Sequence, residues 1–305
     1  MHFAKRLILL PILLLLVSLI SFALVRLAPG GPFDRERKPA SPEIERRIRA
    51  KYHLDDSLPE QYGRYLAGLL RGDLGPSLKY RNHGVSEIVA AGLPVSMALG
   101  LCAGGLALAI GVPLGLRSVA SRNGLGAGFS NGLAVTLVCV PGFIIGPLLI
   151  MVFAVGWQWF PVALLESPRH FVLPVVALGL FFAGRVARLT REGVSEACRA
   201  GFVTAARARG LTERRILLRH VLPIGILPVV SYSGPMLADL LTGSFVVENL
   251  FQIPGIGVFM VNSSLSRDYP MIVGLVLVYA VILLLLNAAV DALIQILDPR
   301  TRHVS

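Results

Sequence analysis

The stretch that decides the fold lies at residues 196–223 and reads EACRAGFVTAARARGLTERRILLRHVLP, a basic segment between two strongly apolar ones. Residues 195–209 are helix formers with arginines interleaved among alanine, valine and phenylalanine, and Gly210 follows as a helix-terminating residue. Thr212 then offers an N-cap with Glu213 in the first turn, so a second short helix is predicted up to Pro223. The stretch therefore predicts a helix, a sharp bend and a second helix.

The composition of the chain indicates a membrane protein. Apolar residues make up 54% of the 305 residues and charged residues only 15%, which leaves too little polar surface for a soluble globule. The formal net charge of +11 comes from arginines gathered in short segments between apolar runs, a pattern that the positive-inside rule explains better than nucleic-acid binding. The composition thus predicts an all-α polytopic membrane protein.

Six apolar runs are predicted to span the membrane, at residues 7–27, 94–116, 132–155, 171–189, 223–247 and 271–295. The first could instead be a signal peptide, but its apolar core exceeds the usual length, which favours an uncleaved helix. The third contains Pro141 and Pro147 and is expected to kink. The fourth is interrupted by Arg185 and Arg188, which are expected to snorkel to the interface from its inner end.

Between the first two spans the chain turns polar over residues 29–91, and a small folded insert outside the membrane is predicted there. Two amphipathic helices are expected within it, one near residues 41–52 and one near residues 59–70. Short loops on the side of the amino terminus are net positive and the opposite loops are neutral or slightly negative. This asymmetry places both termini and the 196–223 stretch in the cytoplasm.

The sequence shows no motif or residue pattern that indicates catalysis. Cys102, Cys139 and Cys198 lack metal-ligand spacing and are interpreted as small packing residues, and no phosphate-binding Gly-x-x-x-x-Gly-Lys motif occurs. Asp239 is an isolated acid near the middle of the fifth span, where lipid exposure would cost roughly 2.5–3.5 kcal/mol. It should therefore face protein or water, either in a translocation path or as an acid at a helix interface.

The spacing within the basic stretch resembles the EAA signature of ABC importer permeases. Thr204-Ala205-Ala206 is followed after three residues by Gly210, and His220 precedes Leu222-Pro223 by one residue. Thr204 stands where Glu is usual and His220 where Ile is usual, two departures that are typical of peptide importers. The resemblance to the B-type permease subunit of oligopeptide importers extends over the chain through pieces such as GDLGPSLKY at 72–80, VVENLF at 246–251, PGIG at 254–257 and LDPR at 297–300.

This resemblance implies a type I ABC importer transmembrane domain in a bacterial inner membrane, with about six transmembrane helices and a small periplasmic insert. The implied divisions are a first transmembrane helix at 1–28, a periplasmic insert at 29–91, a transmembrane domain at 92–297 that contains a cytoplasmic coupling loop at 192–222, and a cytoplasmic tail at 298–305. The implied partners are a second homologous permease subunit, two ATP-binding cassette subunits that bind ATP and Mg²⁺, and a periplasmic or lipid-anchored peptide-binding protein. No cofactor, metal or catalytic residue is implied in this chain.

The resemblance also assigns candidate sites. Contact with the ATPase is expected at Thr204, Ala205, Ala206, Arg207, Arg209, Gly210, Leu211 and His220, where small residues would allow close approach and arginines would pair with an acidic rim. The candidate translocation path contains Ser233, Asp239 and Thr242. Pro254, Gly255 and Gly257 would form an outer gate or a contact with the binding protein, or simply a tight turn.

Other functions stay open from the sequence. The pieces GDLGPS and KYHL favour the oligopeptide branch, and a dipeptide, nickel or other small-solute permease of the same family is the alternative. A stand-alone secondary carrier or channel would work without ATPase partners, although carriers usually contain several intramembrane ionisable residues. A receptor or scaffold that binds through the insert would function without the coupling loop.

Overall fold

The structure is a computed structural model that describes residues 2–27, 55–80, 83–121, 124–241 and 245–297. Within these residues the chain is helical and its only β-pairing is one isolated bridge between Pro76 and Gly84, which confirms the predicted all-α class. The helices are α1 His2–Leu27, α2 Leu58–Leu69, α3 Val85–Ala120, α4 Gly124–Cys139, α5 Gly142–Leu149, α6 Val172–Cys198, α7 Gly201–Ala208, α8 Glu213–Ile216, α9 Leu222–Gly225, α10 Leu227–Leu241, α11 Phe245–Leu250, α12 Ile256–Ser266 and α13 Tyr269–Leu297. Wider π-helical turns at Ile150–Gly156 and Leu217–Val221 extend α5 and join α8 to α9, and a 3₁₀ turn at Pro168–Phe171 leads into α6.

Helices or bent helix pairs long and apolar enough to cross a membrane occur at five of the six predicted positions, the exception among the described residues being the first. Three are single helices, at Val85–Ala120, Pro168–Cys198 and Tyr269–Ile296, and the described residues contain up to five spans if each of two bent pairs counts as one. The predicted kink of the third span is confirmed, because Leu125–Cys139 and Gly142–Gly156 meet at 100° where Pro141 caps α5. Pro11–Leu24 is the apolar part of α1.

The long helices pack closely because small residues line their contacts. A Cβ atom added at Gly111 or Gly115 of α3 would lie 2.7 or 2.4 Å from a carbonyl oxygen of α6, and one at Gly100 would lie 2.6 Å from the carbonyl oxygen of Leu240 in α10. Small residues at such spacing let helix backbones approach in a membrane, where the hydrophobic effect does not drive association. The main core therefore lies between α3, α6 and α10.

The bundle has two ends that differ in what they carry. Contacts between α3 and α6 advance together along both chains, from Leu106 with Gly179 to Gly115 with Thr190, so these helices are parallel. The amino ends of α3 and α6 share one end with the described part of the insert, which we call the insert end. Their carboxyl ends lead toward the coupling loop, and we call that the loop end.

The second predicted amphipathic helix of the insert is present as α2, where Ser57 and Glu60 form a capping box. Tyr62 and Tyr65 of α2 contact Phe22 of α1, and the hydroxyl groups of Tyr62 and Ser18 are 2.8 Å apart. The first predicted helix, at 41–52, lies outside the described residues. α2 thus covers the insert end of α1.

Two sequence-based boundaries are wrong. The helix expected to begin at Pro94, after an insert ending at 91, begins at Val85, because the first turns of α3 bury Val85 and Val89 against α12 and α13. The helix that contains the fourth predicted span continues past 189 to Cys198, and Arg185 lies midway along it. In both cases tertiary packing prolongs a helix beyond its most apolar part.

Candidate coupling site and translocation path

The coupling loop contains the predicted helix, bend and second helix. α7 ends in a Schellman motif, in which the backbone N–H of Gly210 donates to the carbonyl of Arg207 at 2.9 Å and the N–H of Leu211 donates to that of Ala206 at 3.3 Å. Gly210 has a φ of +75°, a left-handed conformation that glycine adopts without a Cβ penalty. The predicted helix at 195–209 is divided, since α6 ends at Cys198 and α7 begins at Gly201. Helical winding also continues past Pro223 to Gly225, because Pro223 occupies the first turn of α9, where its missing N–H is tolerated.

One face of the coupling loop is fixed to the bundle by a small apolar cluster. Buried side chains from the end of α6, from α7 and from the following helical turns form it: Val194, Ala197, Val203, Ala206, Ile216 and Val221, with Leu211 packed against them. Ala206 is thus turned inward, which contradicts its expected place on a surface open to a partner. The cluster makes the loop a rigid extension of α6 and α9.

The opposite face of the loop is exposed and poor in bulky side chains near the bend. Thr204, Ala205 and Gly210 are exposed, and a Cβ atom at Gly210 would meet nothing within 4 Å. Arg209 and His220 are also exposed and add basic groups around this surface. A flat, small-residue surface of this kind allows another protein to approach the helix backbone closely.

Arg207 differs from the expectation that it pairs with another protein. Its guanidinium donates to both carboxylate oxygens of Glu213, with Nε to Oε1 at 2.8 Å and Nη2 to Oε2 at 3.2 Å. The hydrogen bond and the charge of Glu213 raise the pKa of Arg207 above its ordinary value. Arg207 therefore joins α7 to α8 across the bend and shapes the surface of the loop.

The exposed positions of α6 form one narrow stripe. They are Phe181, Arg185, Arg188, Arg191, Glu192 and Glu196, which recur mostly at intervals of three or four residues, whereas the other faces of α6 are largely buried against α3, α4 and α10. The part of the stripe nearest the loop end opens into a cavity of about 860 Å³ between α3, α4 and α6, lined by Ser118, Asn131, Arg188, Arg191, Glu192 and Arg199 among others. Arg188 Nε donates to Glu192 Oε1 at 2.9 Å, and Arg191 donates to Asn131.

Farther toward the insert end, α10 borders the same stripe. Arg185 Nη1 donates to the hydroxyl of Tyr232 at 3.3 Å, and the guanidinium carbon lies 5.6 Å from the centre of the Tyr232 ring. Asp239 is exposed on α10 and its charge interacts with that of Arg185. Ser233 is half-buried and donates to the carbonyl of Val230 at 2.6 Å, while Thr242 lies outside the described residues. The structure therefore brings Arg185 together with Tyr232, neither of which sequence reasoning assigned to a site, and places Asp239 seven residues beyond Tyr232 on the same helix.

The loop at Pro254–Gly257 is held by a buried acid that sequence reasoning counted as a loop charge. Glu248 has no exposed surface. Its Oε1 accepts from the hydroxyl of Ser96 at 2.8 Å and its Oε2 from the N–H of Gly257 at 2.9 Å, and the hydroxyl oxygen of Ser96 accepts from the N–H of Ile256 at 2.9 Å. The carboxylate thus satisfies the first free N–H groups of α12, where a helix favours negative charge.

A second buried acid fixes the described part of the insert. Asp268 is 1% exposed, accepts from the hydroxyl of Ser77, and accepts from the backbone N–H groups of Leu78 at 3.1 Å and Lys79 at 3.2 Å. Burial and the charge of Asp268 raise the pKa of Tyr80, which follows these residues. The segment before α3 is therefore attached to the corner between α12 and α13.

An apolar helical bundle with a basic helical hairpin presented at one end and a charged stripe along an inner helix defines the permease class of membrane transport subunit. No group of three or more potential metal ligands occurs among the residues that the structure describes. Comparison with known proteins gives the particular family. Residues 107–303 match the family of binding-protein-dependent transport system inner membrane components, and this chain belongs to that family.

Relatives match over nearly their full length. The chain is 42% identical over 295 residues to the oligopeptide transport system permease protein OppB of Salmonella typhimurium, with 96% of each chain covered, and 41% identical to OppB of Escherichia coli K12 with the same coverage. It is 38% identical to the dipeptide transport system permease protein DppB of Bacillus subtilis, covering 95% of this chain and 94% of that one.

Solved structures support the fold. A chain of the MetNI methionine ABC transporter in an inward-facing conformation matches with a TM-score of 0.58 at 19% identity, covering 69% of this chain and 96% of that one. An amino acid ABC transporter with histidines matches with a TM-score of 0.50 at 18% identity, covering 70% and 94%. The likeness confirms the type I ABC importer fold.

Proposed function

We propose that this chain is the permease subunit of an ATP-driven oligopeptide importer and forms half of its translocation path. The observation that carries the proposal is the exposed helical hairpin of the coupling loop, in a chain that matches oligopeptide permeases over 96% of its length at 41–42% identity. The chain has no nucleotide-binding motif, so ATP and Mg²⁺ bind to separate ATPase subunits. It is a transport subunit and not an enzyme.

The coupling loop docks onto an ATP-binding cassette subunit through its exposed face. Thr204, Ala205 and Gly210 permit close approach, and Arg209 and His220 lie beside them as the basic groups available to an acidic partner surface. Ala206 and Leu211 hold the loop from within, and Arg207 fixes the bend through Glu213. These roles divide the eight predicted coupling residues into contacts and supports.

The apolar cluster beneath the coupling loop transmits movement of the docked loop to the membrane helices. Because Val194 belongs to α6 and Val221 leads into α9, a displacement of the loop moves both helices together. A Cβ atom at Gly193 would lie 2.2 Å from the carbonyl oxygen of Gly225, so the two backbones are in direct contact there. Closure of an ATPase dimer is thereby converted into a change of access along the path.

The remaining partners follow from the family. A second homologous permease completes the path, two ATPase subunits bind at the loop end, and a periplasmic or lipid-anchored binding protein delivers the peptide at the insert end. This arrangement places the chain in a bacterial inner membrane with the loop end and both termini in the cytoplasm. Gly255 and Gly257 are buried beside Glu248, which leaves the exposed Pro254 as the residue of the proposed outer gate available to the binding protein.

The test is coupling in the complete complex. Ala205→Trp places a bulky side chain on the docking face without altering a left-handed residue, unlike Gly210→Trp, and is expected to abolish peptide uptake driven by ATP while the subunit remains in the membrane. Ala67→Trp, at an exposed alanine of α2, is the matched control and should transport normally. Normal uptake by Ala205→Trp would refute the docking role, and uptake by this chain without ATPase subunits would identify a secondary carrier.

The dipeptide class remains the second candidate because its permease from Bacillus subtilis is almost as similar as the oligopeptide permeases. Uptake of alanine peptides of two to six residues separates the two. An oligopeptide permease transports the longer peptides, whereas uptake confined to the dipeptide would assign the chain to the other class.

A further inference from the structure

The charged stripe of α6 must face something other than lipid. Three arginines and two glutamates are the charged residues exposed on α6, at Arg185, Arg188, Arg191, Glu192 and Glu196. A charged side chain at mid-membrane costs roughly 2.5–3.5 kcal/mol or more in contact with lipid, so such residues face water or protein. Arg185 is equally far from Val172 and Cys198, the two ends of α6, and lies farther from the loop end than the other charged residues of the stripe.

This face adjoins a cavity at the loop end. Arg188 and Glu192 line the cavity of about 860 Å³ near the loop end, and Arg185 lies one turn farther toward the insert end on the same face. Tyr232 and Asp239 of α10 border it there. The stripe thus runs from the middle of α6 to the loop end.

Arg185 is held in a defined position on this stripe. The Tyr232 hydroxyl accepts one of its hydrogen bonds at 3.3 Å, and the adjacent ring lies under the guanidinium at 5.6 Å. A guanidinium has five N–H donors in a planar fork, and two parallel donors match the two oxygens of a carboxylate. Arg188 differs because its Nε already donates to Glu192 within the same helix.

We propose that Arg185, positioned by Tyr232, binds the carboxylate of a peptide in transit through the permease. This assignment rests on the proposed function and adds a substrate contact to it. Asp239 lies seven residues after Tyr232 on α10, which is about 10 Å along a helix axis, so an acid stands farther toward the insert end where it attracts the peptide amino group. An extended chain of three residues spans a similar length. The peptide therefore passes with its carboxyl end nearer the loop end.

The experiment compares a peptide with its amide. Uptake of tri-alanine and of tri-alanine amide is measured in liposomes with the complete transporter, each peptide at a concentration that saturates the binding protein. The wild type is expected to take up the free acid about tenfold faster than the amide, because charge-assisted hydrogen bonds to the carboxylate are lost in the amide. Arg185→Gln should lower uptake of the acid about tenfold and leave uptake of the amide within about twofold, so that the ratio approaches one.

Two further variants make the result specific. Arg188→Gln is the matched control, one turn away on the same stripe, and should keep the wild-type ratio. Arg185→Lys keeps a positive charge but not the planar fork, and is expected to give an intermediate ratio, which also provides the test if the glutamine variant does not assemble.

If the Arg185 variants lose uptake of the free acid and of the amide equally, Arg185 has a structural role and the proposal is overturned. An acid-to-amide uptake ratio that stays at the wild-type value would also overturn it. Absence of any peptide uptake by the wild-type complex would be a different failure, since it would refute the proposed function itself.

Discussion

Substitutions of Gly255 and Glu248 are expected to have strongly non-additive effects on the free energy of unfolding. A Cβ atom at position 255 would lie 2.3 Å from Oε2 of Glu248 and 2.4 Å from the hydroxyl oxygen of Ser96, both too close for any real contact. The φ of Gly255 is −93°, so alanine meets no backbone penalty and its cost is purely steric. Gly255→Ala must therefore displace the buried carboxylate from the amino end of α12.

The size of this effect follows from the hydrogen bonds that Glu248 accepts. Hydrogen bonds to a charged group contribute about 1.5–3 kcal/mol each, and the carboxylate accepts from Ser96 and from the backbone N–H of Gly257. Displacement of the carboxylate by Gly255→Ala should cost about 3 kcal/mol, and its removal by Glu248→Ala about the same. In the Glu248→Ala background the methyl group added by Gly255→Ala contacts mainly the Ser96 hydroxyl, which can rotate. The additional loss of unfolding free energy caused by Gly255→Ala should therefore fall to about 1 kcal/mol or less.

The assay is a double-mutant cycle on the free energy of unfolding, measured by detergent denaturation in mixed micelles. Gly105→Ala is the control, because a Cβ atom there meets nothing within 4 Å and alanine favours the interior of α3. A coupling energy of about 2 kcal/mol is expected between positions 248 and 255. Additive costs of the two substitutions would refute the proposed clamp.

Three further predictions concern the loop and the insert. Gly210→Ala should destabilise the bend by about 1 kcal/mol because residue 210 has a positive φ, and hydrogen exchange in α7 should become faster. Gly201→Ala is the control: a Cβ atom at either position meets nothing within 4 Å, but residue 201 has no positive φ, so exchange should not change. Asp268→Ala leaves Ser77 and the N–H groups of Leu78 and Lys79 without their acceptor, and should increase protease cleavage near Lys79 at least about tenfold; unchanged cleavage would contradict this attachment. Gly193→Ala should prevent assembly with the partner subunits, because its Cβ would lie 2.2 Å from the carbonyl oxygen of Gly225, while Gly128→Ala, with nothing within 4 Å, should assemble normally.

Local chemistry was sufficient to predict the bend of the coupling loop. Gly210 follows a run of helix formers, and the Schellman motif that it completes depends only on residues within one helical turn. The kink at Pro141 was predictable for a similar reason, because proline lacks a backbone N–H and favours a bend, although α3 continues through Pro94 and Pro113. The eight coupling residues were predicted from their spacing and remain a prediction, and the inward turn of Ala206 depends on Val194 and Ile216, which sequence spacing does not bring together.

The missed residues depend on contacts between distant parts of the chain. Glu248 was counted as a loop charge, yet it is buried because Ser96, 152 residues earlier, donates to it. Arg185 was interpreted as a snorkelling residue, and its contact with Tyr232 could not be predicted because it needs α10 beside α6. The spacing of Arg185, Arg188, Glu192 and Glu196 places them on one helical face, and this pattern could have indicated the stripe. A search for spans by apolarity alone does not detect such a pattern.

The early start of α3 has a similar origin. Residues 85–93 are less apolar than the span that follows, and their helix is stabilised by Ile256, Met271 and Leu275 from the far end of the sequence. Hydropathy locates the part of a helix that lies in the membrane and not the turns that other helices cover.

The most direct measurement of the central claim is photo-cross-linking from position 205 in the complete transporter. A photoreactive phenylalanine analogue replaces Ala205 on the exposed face of α7, and the same analogue at Ala67 on α2 serves as the control. The account predicts a cross-link from position 205 to an ATPase subunit and none from position 67. Cross-linking of position 205 to lipid or to the binding protein, with no product containing an ATPase subunit, would contradict it.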